Sequence, residues 1–395
     1  MKTMLSKRFY SKLFRKTPLA WLQMTREKSR LAVAIIGIAF ADILMFLQLG
    51  FKDALYDSSV RPQYALQGDL FLVNPKFETV FSVESFSKSR LYQAAGYHEV
   101  ESIRPLYISS GAWRNPITQT DRRILIFGID PANSAFNLPE VNQHLEDLKK
   151  LNHVLFDQAG RPEYGPIAKL LQKSSLQTEV NHVLTEVTGL FTLGASFVAD
   201  GNVITSDSTF LLLFPNRQPN QIDVGAIKLK PGTDIEQVRA SMEASLPPDV
   251  KVLAIEAFAE RERQYWANTT PIGFVFGLGS VVGFIVGTVI VYQILYSDVS
   301  DHLSEYATLK AMGYGNSYLV SVIIQESLIL AILGFIPGYT LSIGLYHIAY
   351  TATRLPVFMT TSRAIAILVL TIIMCFISGS IAMRKLQKAD PADIF

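Results

Sequence analysis

Four apolar runs limit what this chain can fold into. Residues 31–51, 271–296, 328–347 and 364–383 are almost free of charge, and a helix needs about 20 such residues, at about 1.5 Å each, to cross a hydrocarbon layer. Backbone amides in lipid must be satisfied within their own segment, so each run is expected to be a membrane helix. Composition agrees: 49% of the 395 residues are hydrophobic and 18% charged, oilier than an ordinary soluble protein.

The first run is too long for the apolar region of a secretory signal, and the GFKDALYD that follows lacks a small-residue cleavage pattern. It reads as an uncleaved anchor. Residues 1–30 carry nine Lys or Arg against one acid, Glu27, which by the positive-inside rule puts the N-terminus in the cytoplasm. Four crossings return the tail, 384–395, to the same side, and Arg384, Lys385 and Lys388 agree. The spacer 297–327 gives no help, since Asp298, Asp301 and Glu305 outnumber Lys310. Residues 52–268 are thereby expected outside the inner (plasma) membrane. The net charge of +2 comes from basic residues beside the membrane, where anionic lipid attracts them without any nucleic acid. The single cysteine, Cys375, lies in the fourth run, so the outer region must be held by its own core.

That outer region reads as α+β. GDLFLVN (68–74), ESIRPLYISSGAW (101–113) and RRILIFGID (122–130) are strand-like, with a helix at 87–97 between the first two. Around 222–258 a strand, turn, helix and strand follow, with Thr233 or Asp234 as cap and Pro247 and Pro248 as stop. These two modules flank residues 136–220, which suggests one subdomain interrupted by another. Within the insert a helix is expected at 142–151 and strands at 179–191 and 208–214. AFAERERQYWANTT (257–270) reads as a stalk helix, with Tyr265 and Trp266 at the membrane interface and a break or restart at Thr270–Pro271.

The inventory of catalytic motifs is short. There is no GxxxxGK[ST] phosphate loop, no GxSxG, and no His or Cys cluster at metal spacing. No cofactor is expected in this chain. The spans are also poor in ionisable groups, unlike those of transporters that pass polar solutes through the bilayer. Asp42 stands near the middle of the first run, where it can bond a neighbouring helix or serve transport. Glu326 stands just before the third run, where it can reach cytoplasmic water or favour a helix N-terminus. Gly273, Gly277, Gly279, Gly283 and Gly287 give the second run small-residue faces for close helix packing, and Gly334 and Gly338 repeat the spacing in the third.

Between the second and third runs, DHLSEYATLKAMGYG carries a helical pattern. Leu303, Tyr306, Leu309 and Met312 recur on one stripe and Gly313 is a natural stop. Such a helix can dock into a partner's groove or lie on the membrane, and the pattern does not choose.

EYATLKAMGYGNSYL resembles the coupling segment of FtsX/MacB-type permeases of ABC systems. The resemblance implies an ATPase-coupling role for Leu303, Glu305, Tyr306, Leu309, Lys310, Met312, Gly313 and Tyr314, and Glu326 with its Gly-containing helix fits the same pattern. Over essentially the full length, TPLAWLQMTREKSRLAVAIIGIAFADILMFLQLGFKDAL, the second run with its spacer, and KADPADIF are similar to the DevC family of cyanobacterial exporter permeases, associated with heterocyst glycolipids. The resemblance implies four transmembrane helices plus an α+β extracytoplasmic domain, and a homodimer. It also implies a separate DevA-like ATPase holding ATP and Mg, a DevB-like membrane fusion adaptor and, indirectly, a TolC-like outer-membrane protein. Regulation of an envelope hydrolase, as in FtsX, and lipoprotein extraction, as in LolC/LolE, are the alternatives.

Overall fold

A computed structural model of the chain describes residues 21, 25–197 and 199–388. The expectations for the basic segment before residue 21 and for the tail beyond 388 lie outside the described residues. In chain order the elements are α1 (Lys28–Ser59), α2 (Arg61–Tyr64), β1 (Leu70–Val73), β2 (Phe86–Ser87), α3 (Ser89–Ala95), β3 (Val100–Arg114), β4 (Asp121–Ile129), α4 (Pro139–Gln143), α5 (Leu145–Leu148), β5 (His153–Asp157), α6 (Ile167–Leu171), β6 (Leu176–Val180), β7 (Val183–Phe191), β8 (Asn202–Ser206), α7 (Asp207–Leu213), β9 (Gln221–Ile222), β10 (Val224–Leu229), α8 (Ile235–Ser245), β11 (Lys251–Ala254), α9 (Ile255–Gln264), α10 (Pro271–Asp301), α11 (Leu303–Ala311), α12 (Asn316–Thr353) and α13 (Thr361–Lys388). They form two compact units, residues 53–274 with 349–356, and the remainder.

The first unit is α+β. Its nine-stranded sheet runs β11-β1-β10-β3-β4-β8-β5-β7-β6, antiparallel except where β8 joins β4 and β7 joins β5 in parallel. Strand residues alternate between faces, and both faces are covered. Leu70, Leu72, Ile124 and Ile126 enter one core, while Phe71, Val73, Leu125 and Phe127 enter the other. This two-sided burial is why LFLV and ILIFGI read as continuous apolar runs rather than as alternating ones.

Residues 136–220 do not form a separate body. Their strands β5 to β8 continue from β4, and β6 returns to β3 through the pair Trp113–Val180, so six strands close a ring that shares β3 and β4 with the rest of the sheet. The expected strand at 179–191 is a hairpin, turning at Asn181 and His182, whose φ angles are 49° and 65°. The expected helix at 142–151 begins earlier and is two short turns, α4 and α5.

The expected strand at 208–214 is instead helix α7. Ser206 Oγ accepts from Thr209 N at 3.2 Å, and Asp207 occupies the first turn; the cap starts a helix that buries Phe210 and Leu213. A short apolar run such as TFLLLF fits either period, and the cap decides. At α8 it is Asp234 that caps, accepting from the amides of Glu236 and Gln237 at 3.0 and 3.1 Å. The stalk segment forms α9, then a π-turn over Tyr265–Thr269, and Thr270 is extended (φ −103°, ψ 149°) before α10 begins at Pro271.

Among the described residues four helices, lying mostly in the second unit, are long and apolar enough to cross a membrane: Lys28–Ser59, Pro271–Asp301, Val320–Thr353 and Thr361–Met383. Each outruns the apolar stretch that announced it. Hydropathy locates lipid contact, whereas helix-forming residues such as Lys52, Ala54 and Leu55 carry the helix onward. As a result the spacer expected over 297–327 shrinks to the residues between Asp301 and Asn316.

Candidate functional site

α10 ends at Asp301, and α11 starts from His302, whose Nδ1 lies 3.0 Å from the carbonyl oxygen of Asp298. At the other end Gly313 adopts φ +90°, a left-handed turn that glycine takes at little cost. Its amide donates to Lys310 O at 2.9 Å and the Tyr314 amide donates to Leu309 O at 3.0 Å, satisfying the last carbonyls of the helix. Arg30, from α1, pins this corner. Its Nη2 lies 2.5 Å from Asp301 Oδ2, and its Nη1 lies 2.8 Å from Glu27 and 3.6 Å from Asp298.

The apolar stripe of α11 is largely turned inward. Tyr306 is fully buried and Leu303 and Leu309 half-buried, packed with Val299, Tyr318, Ile323 and Met383. Hydrophobic periodicity does not say whose surface such a stripe meets. Ser304, Glu305 and Thr308 line the exposed side, Lys310 is half-buried, and the turn displays Met312, 63% exposed, and Tyr314, 38% exposed.

The glycines of α10 sort by position. Gly279 lies against Gln48, Gly283 against Leu44 and Met45, and Gly287 against Ala41 and Met374, so this face seats α1 and α13. A methyl group on Gly283 would lie 3.3 Å from Met45, and one on Gly287 would lie 2.7 Å from Ala41. On α12, Gly334 meets Ile38, and a methyl on Gly338 would come within 2.9 Å of Asp42. Gly277 has open space where a side chain would point, and Gly273, in the α+β unit, sits beside the Tyr56 hydroxyl and the Ala267 backbone.

Asp42 is fully buried, and its Oδ1 accepts from Thr371 Oγ1 at 2.6 Å, bonding α1 to α13. Glu326 departs from expectation. It lies well inside α12, is 1% exposed and does not reach water at a helix start, because α12 begins at Asn316 rather than near 328.

One residue escaped sequence reasoning altogether. In the α+β unit, Glu262 of α9 is fully buried. It accepts from Thr79 Oγ1 at 2.6 Å, Trp266 Nε1 at 2.8 Å, Val80 N at 2.9 Å and Gln63 Nε2 at 3.0 Å. Burial nevertheless pushes its carboxyl above the ordinary range, outweighing these donors. In AERERQYW it looks like any solvated charge; only the Trp one turn later hints at a partner.

Residues 277–391 match the model of the FtsX-like permease C-terminal family. The matched region takes in most of α10, all of α11 and α12, and α13. Comparison with curated proteins returns no match. Among solved structures, similarity is found to the periplasmic region of MacB from Actinobacillus actinomycetemcomitans, at 13% identity over 52% of this chain and 96% of that one, with a TM-score of 0.35. The extracellular domain of the noncanonic ABC-type transporter YknZ from Gram-positive bacteria aligns at 14% identity over 47% and 98%, with a TM-score of 0.33. A domain of a Porphyromonas gingivalis permease protein aligns at 11% over 48% and 88%, with a TM-score of 0.31.

Proposed function

We propose that this chain is the non-catalytic permease subunit of an ABC exporter of the inner membrane, with both termini cytoplasmic, driven by a separate DevA-like ATPase that binds ATP and Mg. The observation that carries this reading is the FtsX-like permease match over 277–391, which spans a short helix held rigidly between two apolar spans. The absence of a Walker phosphate loop from the sequence agrees with a split system. ATP-driven closure of the ATPase dimer would push α11, and α10 and α12, continuous with that corner, would carry the movement outward. Few polar groups line the spans because cargo, for which a glycolipid is one candidate, need not pass between them. A homodimer of this chain, a DevB-like adaptor and a TolC-like duct complete the proposed assembly.

Purified alone, the chain should hydrolyse no ATP. Co-purified with a DevA-like ATPase, it should form a stable complex with turnover that depends on the ATPase's own phosphate loop. Robust turnover by a preparation free of ATPase subunits would overturn the reading, as would failure of every DevA-like ATPase of the same cell to bind.

A further inference from the structure

A pocket of about 330 Å³ opens on the α+β unit, where the turn before β3 meets the start of α8, lined by Tyr97, Glu99, Thr233, Asp234, Gln237 and Ser241. That volume lies within the range of small-molecule sites, about 300–1,000 Å³. The walls are fixed from behind. Lys230 N donates to Glu99 O at 2.9 Å and Thr233 N donates to Lys230 O at 3.3 Å, which ties the turn at Gly232, φ 83°, to the approach of β3. Asp234 Oδ1 is held by the amides of Glu236 and Gln237. The Tyr97 hydroxyl donates to Ser241 O at 3.3 Å and also meets Ser245 Oγ, so what Tyr97 presents, beside the buried Val238, is the apolar wall of its ring.

The remaining polar groups are uncommitted. The carboxylate of Glu99, the hydroxyls of Thr233 and Ser241 and the side-chain amide of Gln237 make no hydrogen bond or ion pair among the described residues. Two carboxylates supply acceptors, while the hydroxyls and the amide both donate and accept. An anion would meet Glu99 and Asp234 with no cation in the lining to offset them, since Lys230 Nζ is given to His98 O. No group of three His, Cys, Asp or Glu among the described residues is placed to hold a metal ion. An organic cation would use the carboxylates alone and leave the N–H and O–H donors facing its charge. A neutral polyhydroxylated ring uses every group, because each of its hydroxyls donates and accepts and its C–H face packs on Tyr97 and Val238.

We infer that this pocket binds one pyranose ring of a neutral saccharide. Glu99 and Asp234 accept from ring hydroxyls, Gln237, Thr233 and Ser241 complete the polar wall, and Tyr97 carries the apolar face. The inference does not depend on the exporter reading.

The test uses the purified full chain in phosphatidylcholine nanodiscs and saturation-transfer NMR of the methyl glycosides of glucose, galactose and mannose. At least one should bind with a dissociation constant of about 1–10 mM, the scale of a single small ring, and the corresponding uronide, whose added carboxylate faces Glu99 and Asp234, should bind more weakly. Glu99→Gln with Gln237→Ala should weaken binding about tenfold or more, as losing a hydrogen bond to a charged group does. The thermal midpoint should not move, because neither side chain bonds the rest of the chain; Asp234 is left in place because it caps α8. The tetrasaccharide of the ring that binds forms a second arm: tighter binding than the single ring identifies a glycan chain as the source, and equal binding a free sugar. No glycoside bound at about 20 mM, binding that the double variant leaves intact, or binding of butylammonium in place of any sugar would overturn the inference.

Discussion

Glu262 lies in AERERQYW among charged neighbours that are exposed or half-buried, yet it is fully buried and ties α9 to α2 and to the loop at Thr79–Val80. Glu262→Ala would strand the Gln63, Val80 and Trp266 N–H donors, and with each buried orphan costing about 1–3 kcal/mol the α+β unit should lose roughly 3 kcal/mol or more. Chemical denaturation of the full chain, followed by Trp fluorescence, would show it as a lower midpoint. Because burial raises this carboxyl above its ordinary value of 4.5, the folded state holds the proton to higher pH than the unfolded chain does. Its contribution to stability is therefore full below pH 4.5 and is lost as pH rises through the folded value. Thermal midpoints measured from pH 4.5 upward should fall more in wild type than in Glu262→Gln. None of this was legible from sequence, since a buried acid and a solvated one have the same letter and only the third dimension brings four donors to it. Tyr306 teaches the same point: its position on a helix was readable, its neighbours were not.

Elements were legible where one physical signal dominated. The four long apolar runs, the strands at Leu70–Val73 and Asp121–Ile129, and helix α8 behind Asp234 all followed from hydropathy, β-propensity or a cap. Where signals competed, the outcome turned on a local detail: Ser206 made α7 a helix, and Asn181–His182 folded one expected strand into a hairpin. Ser206→Ala should destabilise the α+β unit by about 0.5–2 kcal/mol, whereas Ser208→Ala, one turn position away and without the cap bond, should cost less. The same comparison by denaturation would check both. Among the membrane helices, Gly287→Leu must displace Ala41 and Met374, and Gly338→Leu must displace Asp42, so each should lower thermal stability in detergent by the roughly 1–3 kcal/mol typical of overpacking. Gly277→Leu, pointing into open space within the chain, should leave the unfolding midpoint of the monomer unchanged.

For the whole molecule, the charge asymmetry of the N-terminus and the even number of spans predict that the α+β unit and α11 face opposite sides of the membrane. Cys375 is buried, so single cysteines at the exposed Glu146 and Glu305 can be labelled almost without background. A membrane-impermeant maleimide applied to intact cells should modify the first and spare the second; labelling of both, or of Glu305 alone, would end this topology. The central proposal is that α11 and its turn receive force from an ATPase; with Leu303, Tyr306 and Leu309 packed against the chain's own helices, we propose Met312 and Tyr314 as the contact. The most direct measurement is the affinity of the partner ATPase for the full chain in nanodiscs. Removing two side chains worth about 1.5–3 kcal/mol each when buried, Met312→Ala with Tyr314→Ala should weaken binding by roughly a hundredfold or more, at about 1.4 kcal/mol per tenfold, with membrane insertion unchanged. A double variant that binds the ATPase as tightly as wild type would contradict the account.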